Sequence, residues 1–194
     1  GPTPNAFGIS VIFDNPAAVE LAAQHLLDKG HRNIGLVTFC IPECHDDTYE
    51  GADPRWHAGC RRFKSFMTDN VCKSKWRVIG QLEDQGLDWI LRHLDSPDRP
   101  TAIICDADFR ACAVYAAAAK LGISVPGDLS VVGVCNTPWS RQLYPMLTSV
   151  SLGEEEAACI VARLCRDNWP GLPISCRMEP ALVERNSVAE IVPD

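Results

Sequence analysis

Ten cysteines and five histidines in 194 residues are enough to invite metal or thiol chemistry. Only Cys40, Cys44 and His45 stand close enough in sequence to share an ion. Cys-x3-Cys-His offers at most three ligands and has no second half to complete a tetrahedral site. The other cysteines are scattered through apolar stretches such as Ile103-Ile104-Cys105 and Ala111-Cys112-Ala113, where a free thiol acts as a small hydrophobe. A disulfide scaffold would be small, secreted and poor in long helices, unlike this chain. Glu43, Asp46, Asp47 and Glu50 make an acidic loop that a divalent cation could enter, although a solvated charged loop is the simpler reading. His25, His31, His45, His57 and His93 are dispersed; the first two flank a helix end and read as capping or packing groups rather than general bases. The G-x-S-x-G elbow, the Walker loop, G-x-G-x-x-G and H-E-x-x-H are all missing. No catalytic residue, resident metal or cofactor is expected, and nothing recommends an enzyme.

The composition narrows the class further. At 46% hydrophobic and 22% charged, the chain can bury a sizeable core as one domain or as two lobes sharing a hinge. Twenty-five acidic against 18 basic side chains give a net charge of -7, the wrong sign for gripping nucleic acid. No apolar run approaches the ~20 residues of a membrane span. Gly1 to Gly8 carry two prolines and no basic n-region, so no secretory signal is read there and a cytoplasmic protein is expected.

The chain alternates between strand-like and helical segments. Gly8–Phe13 is short and β-branched; Asp14-Asn15-Pro16 then caps a helix that Gly30 stops. Strands are expected at Asn33–Phe39, Trp76–Ile79, Thr101–Cys105, Leu129–Val134 and Arg177–Val183. Helices are expected at Arg55–Met67, Leu87–Leu94, Phe109–Leu121 and Glu154–Cys165, with a loop over Asn136–Met146. This alternation predicts an α/β fold, a Rossmann-like three-layer sandwich with a mostly parallel sheet, and places any ligand at the carboxyl edge of the strands.

Three stretches carry a resemblance. The first runs from Asp14-Asn15 through His25-Leu26-Leu27-Asp28-Lys29-Gly30-His31-Arg32-Asn33-Ile34. The second is Gly122-Ile123-Ser124-Val125-Pro126-Gly127-Asp128-Leu129-Ser130-Val131-Val132-Gly133. The third joins Leu147-Thr148-Ser149-Val150 to Leu182-Val183-Glu184-Arg185-Asn186-Ser187. In order and spacing they resemble the effector-sensing, periplasmic-binding-protein-like domain of the lac/galactose repressor family. The xylose-regulator branch is similar through Gly133-Val134-Cys135-Asn136.

The resemblance implies a two-lobed sensor of which this chain covers mainly the carboxyl lobe. Residues 1–15 would be a remnant strand of the amino lobe, 16–148 the effector-binding lobe, 149–169 a helix returning to the amino lobe, and 170–194 the final strand and tail. The DNA-reading helix-turn-helix would lie upstream. Ligand contacts are expected from Asp14, Arg55, Trp56, Asp108, Asn136 and Trp139, with a small sugar-like effector as partner. The family's gripping arginine position holds Trp56, with Arg55 one residue earlier; its Asn-Asp pair reads Ala107-Asp108; and its acid after the Val-Val-Gly strand is Cys135, followed by Asn136. An aromatic face at Trp56 suits the apolar side of a sugar ring.

The helix Phe109–Leu121 is apolar nearly all round, with Arg110 and Lys120 its only charges. A second copy of the chain is expected to cover its outer side, with Tyr115, Ala118 and Ala119 in the interface, and in the resembling family the corresponding helix lies in the dimer contact. The function implied is the ligand-sensing and dimerisation region of a bacterial transcription regulator, with no direct nucleic-acid or membrane contact. The alternative is a solute-binding protein of a transport system, which shares the fold.

Overall fold

A strand, β1 (Ile9–Phe13), runs directly into a helix, α1 (Asn15–Asp28), through a side-chain cap: Asp14 Oδ1 accepts from the Ala17 amide at 3.1 Å, and Pro16 sits in the first turn. Gly30 ends the helix at φ +86, and a Cβ there would lie 2.5 Å from the Ile191 carbonyl oxygen. The structure is a computed structural model and describes residues 8–38, 54–70, 75–80, 87–166 and 174–191, with the backbone alone at 54–56.

The elements then follow as β2 (Asn33–Thr38), α2 (Pro54–Asn70), β3 (Lys75–Gly80), α3 (Asp88–Leu94), β4 (Ala102–Cys105), α4 (Asp108–Lys120) and β5 (Ser130–Val134). They are completed by α5 (Trp139–Gln142), β6 (Thr148–Ser151), α6 (Glu154–Arg166), β7 (Ile174–Met178) and β8 (Ala181–Val183). Six strands form one sheet in the order β3-β2-β4-β5-β6-β8, all parallel except the β6–β8 pair. β1 and β7 pair in parallel as a separate two-stranded sheet.

Side-chain alternation along the central strands builds two cores. Ile34, Leu36, Ala102, Ile104, Val132 and Val134 face α1 and α2, where Leu26, Phe63 and Met67 are fully buried. Val37, Ile103, Cys105 and Val131 face the other way, against Trp89 and Ile90 of α3 and Ala111, Val114, Ala117 and Ala118 of α4. Strands buried on both faces between helical layers are what a parallel sheet requires. The three-layer α/β sandwich read from the sequence is the fold found.

Two local readings are corrected. The single strand expected over Arg177–Val183 is two: β7 lies beside β1, and after Glu179-Pro180, where proline removes an amide donor, β8 joins the large sheet. The expected loop Asn136–Met146 contains the short α5, and Thr148–Ser151 adds a parallel strand. Beyond β8 the tail laces the amino ends of the sheet. Val131 N donates to Ser187 O and Ser187 Oγ to Val131 O; Ala189 N reaches Ser130 Oγ, and Ile191 N reaches Lys29 O at the end of α1. His31 is buried there between Thr101 Oγ1 and Ala189 O, each 3.1 Å away, which fits its reading as a packing group.

Candidate ligand-binding site

The parallel strands β2, β4 and β5 present their carboxyl ends to one edge, where the chain also crosses between the two sheets. Asp14 marks the crossing from β1 to α1, Ser151 to Gly153 that from β6 to α6, and Glu179-Pro180 that from β7 to β8. A cleft of ≈ 600 Å³ opens at the last two of these. Its walls include Asn136, Thr137 and Arg141 after β5, and Glu154, Glu155, Glu156 and Glu179 opposite.

The wall after β5 is held by a buried carboxylate. Asp108, the first residue of α4, is 0% exposed; Oδ2 accepts from the Thr137 amide and from Thr137 Oγ1 (2.8 Å), and Oδ1 from Ser149 Oγ (2.6 Å). Burial pushes its pKa above the ordinary aspartate value, opposed by these donors. Ser149 Oγ in turn accepts from the Asn136 amide at 3.0 Å. Cys135 and Asn136 both sit at positive φ (91 and 45), a conformation uncommon outside glycine and most tolerable for asparagine. Gly133 completes the arrangement: a Cβ there would overlap Asp108 Oδ1 and come within 2.7 Å of Leu147 Cδ2.

A second, smaller feature lies between α1, α2 and the ends of β2, β4 and β5. Asn15, Thr38, Cys60 and Asp106 line a recess of ≈ 10 Å³, closed by Val19, Leu36 and Val134. Asp106 and Arg110 are both buried and form an ion pair at 2.6 Å, one helical turn apart.

The six expected contacts divide accordingly. Asn136 lines the cleft, with its side-chain oxygen accepting from Arg185 Nη2 at 2.6 Å. Asp14 stands at a crossing, its carboxylate engaged by Ala17 N and by Arg177 Nη1 at 2.9 Å. Trp139 is half exposed on α5 and is not among the residues lining the cleft. Asp108 is corrected: fully buried and carrying three donors, it holds the wall instead of facing a ligand. Arg55 and Trp56 belong to the first turn of α2, and their side chains lie outside the described residues.

The interface expectation is also corrected in part. Ala118 is 1% exposed and packs in the core beneath α4, so no partner chain can reach it. Ala119 is exposed, with Phe109 and Ala116 on the same side of the helix. Tyr115 is half-buried, its hydroxyl donating to Pro145 O at 3.0 Å.

Sequence reasoning missed Asn15, Thr38 and Asp106. The available signal was position: Thr38 ends one buried strand and Asp106 immediately follows another, which is where open α/β sheets hold ligands. Among the described residues no group of three or more His, Cys, Asp or Glu is placed to hold a metal, and no helix is long and apolar enough to cross a membrane. Cys40, Cys44, His45 and the acidic loop around them lie outside the described residues.

Residues 23–188 match the periplasmic binding protein-like domain. The chain is 31% identical over 182 residues to the HTH-type transcriptional repressor PurR of Shigella dysenteriae, and 30% over 181 residues to that of Escherichia coli. Each alignment covers 88% of this chain and 49% of the relative, so the chain spans about half the length of these curated relatives. Among solved structures, a LacI-family transcriptional regulator from Rhizobium etli superposes with a TM-score of 0.79 at 24% identity, covering 96% of this chain and 67% of that one. A LacI-family regulator from Enterococcus faecium with bound ribose superposes at 0.73 and 22% identity, covering 99% and 69%. The matched span takes in most of the chain, which belongs to the periplasmic binding protein-like domain family and has the fold of the LacI-family regulators named above.

Proposed function

We propose that this chain is the effector-sensing and dimerising part of a bacterial transcription regulator, a cytoplasmic protein and not an enzyme, whose DNA reader lies outside these residues. The observation that carries the reading is the cleft at the carboxyl edge of the parallel sheet, walled on one side by the Asn136 segment and on the other by the crossings into the second sheet. A molecule bound there touches both the segment after β5 and the crossings at α6 and Glu179, so it favours one relative arrangement of the lobes over another and shifts their populations. We assign 16–148 and the tail after Glu179 to the effector-binding lobe, and β1, α6 and β7 to the other. The effector is a small neutral molecule of sugar-like size.

The relatives named above are repressors, which supports a regulator over a transport protein. The outer side of α4, where Phe109, Ala116 and Ala119 are exposed, is proposed as the surface on which a second copy docks. The test is the intact gene product. A helix-turn-helix or other DNA-reading domain is expected beside this region, together with operator binding that changes when effector is added. An export signal in its place would move the assignment to transport.

A further inference from the structure

The recess at the carboxyl ends of β2, β4 and β5 carries an unpaired polar group. Thr38 closes β2, is 1% exposed, and its hydroxyl oxygen has no hydrogen-bond partner. Buried hydroxyls are almost always paired, because an unpaired one forfeits its water without replacement. Thr38 lines the recess together with Asn15 and Asp106, against apolar walls from Val19, Leu36 and Val134. A space of ≈ 10 Å³ takes about one water-sized group and no more.

The charges around it select the group. Asp106 is neutralised by Arg110 at 2.6 Å, with both side chains almost wholly buried, so the recess carries compensated charge. An anionic group would meet the Asp106 carboxylate, and a cationic one would compete with Arg110. A hydroxyl both gives and takes a hydrogen bond, which a neighbouring hydroxyl, carboxamide and carboxylate can satisfy.

We infer that this recess is a specificity pocket of the effector site, in which one hydroxyl of a neutral, hydroxylated ligand hydrogen-bonds to Thr38. The inference rests on the sensor reading above. It makes Thr38 a specificity-determining residue: a site built to bond a hydroxyl rejects a ligand lacking it far more strongly than an apolar pocket rejects an extra group.

The chain, carbon-13-labelled at its threonine methyls, is titrated by NMR with D-ribose, D-glucose and ribose 5-phosphate, and the Thr38 signal is assigned by its loss in Thr38→Val. A neutral sugar is expected to move that signal. Its affinity should fall at least about tenfold in Thr38→Val and stay within about threefold in Thr38→Ser. Without sugar, Thr38→Val should melt a few degrees higher than the parent, since the valine is isosteric and needs no partner. Should it fail to fold, Thr38→Ala replaces it in the affinity comparison. Equal sugar affinity in parent and variant overturns the inference, as does binding of ribose 5-phosphate alone, and both leave the sensor reading standing. A folded Thr38→Val that melts lower than the parent without sugar also overturns it, because the hydroxyl would then serve an internal water. If none of the three compounds moves any threonine methyl, the inference falls, while the sensor reading is decided by the DNA-reading domain and operator binding of the intact gene product.

Discussion

Arg185, beyond the last strand, donates from Nη2 to the side-chain oxygen of Asn136 at 2.6 Å across 49 positions of sequence. The same guanidinium donates from Nη1 to Leu147 O at 2.6 Å. One side chain from the tail thus ties the cleft wall to the start of β6, and Asn136 keeps its left-handed backbone between this bond and the Ser149 hydroxyl. Removing the guanidinium in Arg185→Met should lower stability by about 1–2 kcal/mol, the range for charge-assisted bonds that are partly exposed. It should also speed hydrogen exchange at the Asn136 amide more than at Val132. Equal protection in both proteins would show that the wall stands without the tail.

Asp108 makes a sharper test, because its carboxylate and the Ser149 hydroxyl that donates to it are both fully buried. Asp108→Ala should cost about 2–3 kcal/mol in urea unfolding by orphaning the Thr137 amide and the Ser149 hydroxyl. Asp108→Asn retains the shape and should cost less.

The pH dependence of that pair follows from the direction of the Asp108 shift. A folded-state pKa above the unfolded value means the folded chain holds the proton more tightly, so this group's contribution is fully present below the unfolded pKa and is lost as pH rises through the folded one. Relative to Asp108→Asn, the parent should therefore gain stability as pH falls from neutral toward about 4. A parent-to-variant difference that is flat over this interval would contradict the shift.

His31 acts with the opposite sign. Burial holds its pKa below the ordinary imidazole value, so the folded chain resists its protonation and stability is lost as pH falls below about 6.5. Ala189 O can only accept, which places the proton of the neutral ring on Nε2 and leaves Nδ1 facing Thr101. His31→Gln should flatten the decline between about pH 6.5 and 5 in thermal melts, though at lower overall stability. An unchanged slope would assign the decline to other groups.

The association surface is tested by two neighbouring alanines. Ala119→Arg should yield monomers in sedimentation that still fold, because Ala119 is exposed, with melting lowered only by the lost association. Ala118→Arg should instead fail to fold, since it drives a guanidinium into the core under α4. A parent chain that sediments as a monomer at tens of micromolar would remove the dimer proposal.

Those two alanines also show what the sequence can and cannot carry. Strand and helix positions were legible from apolar alternation and from the caps at Asp14 and Gly30, because those signals are local. Ala118 and Ala119 are identical by type, and only the rotation of α4 against the sheet separates a core residue from a surface one. Asp106 and Asp108 pose the same problem two residues apart: the sequence favoured Asp108, yet its carboxylate turns inward to Ser149 while Asp106 reaches the recess. The division of Arg177–Val183 between two sheets depends on partners far away in sequence, Ile12 for Arg177 and Ser149 for Val183.

The tail that laces Ser130, Val131 and Lys29 sets the order of events during synthesis. The Val131 amide has its carbonyl partner at Ser187, and the Thr148 amide bonds to the Ser187 hydroxyl, so β5 and β6 leave the ribosome with their amino ends unsealed. The six-stranded sheet is complete only after residue 187 has cleared the exit tunnel, and until then the apolar faces of its strands are open to non-native contacts.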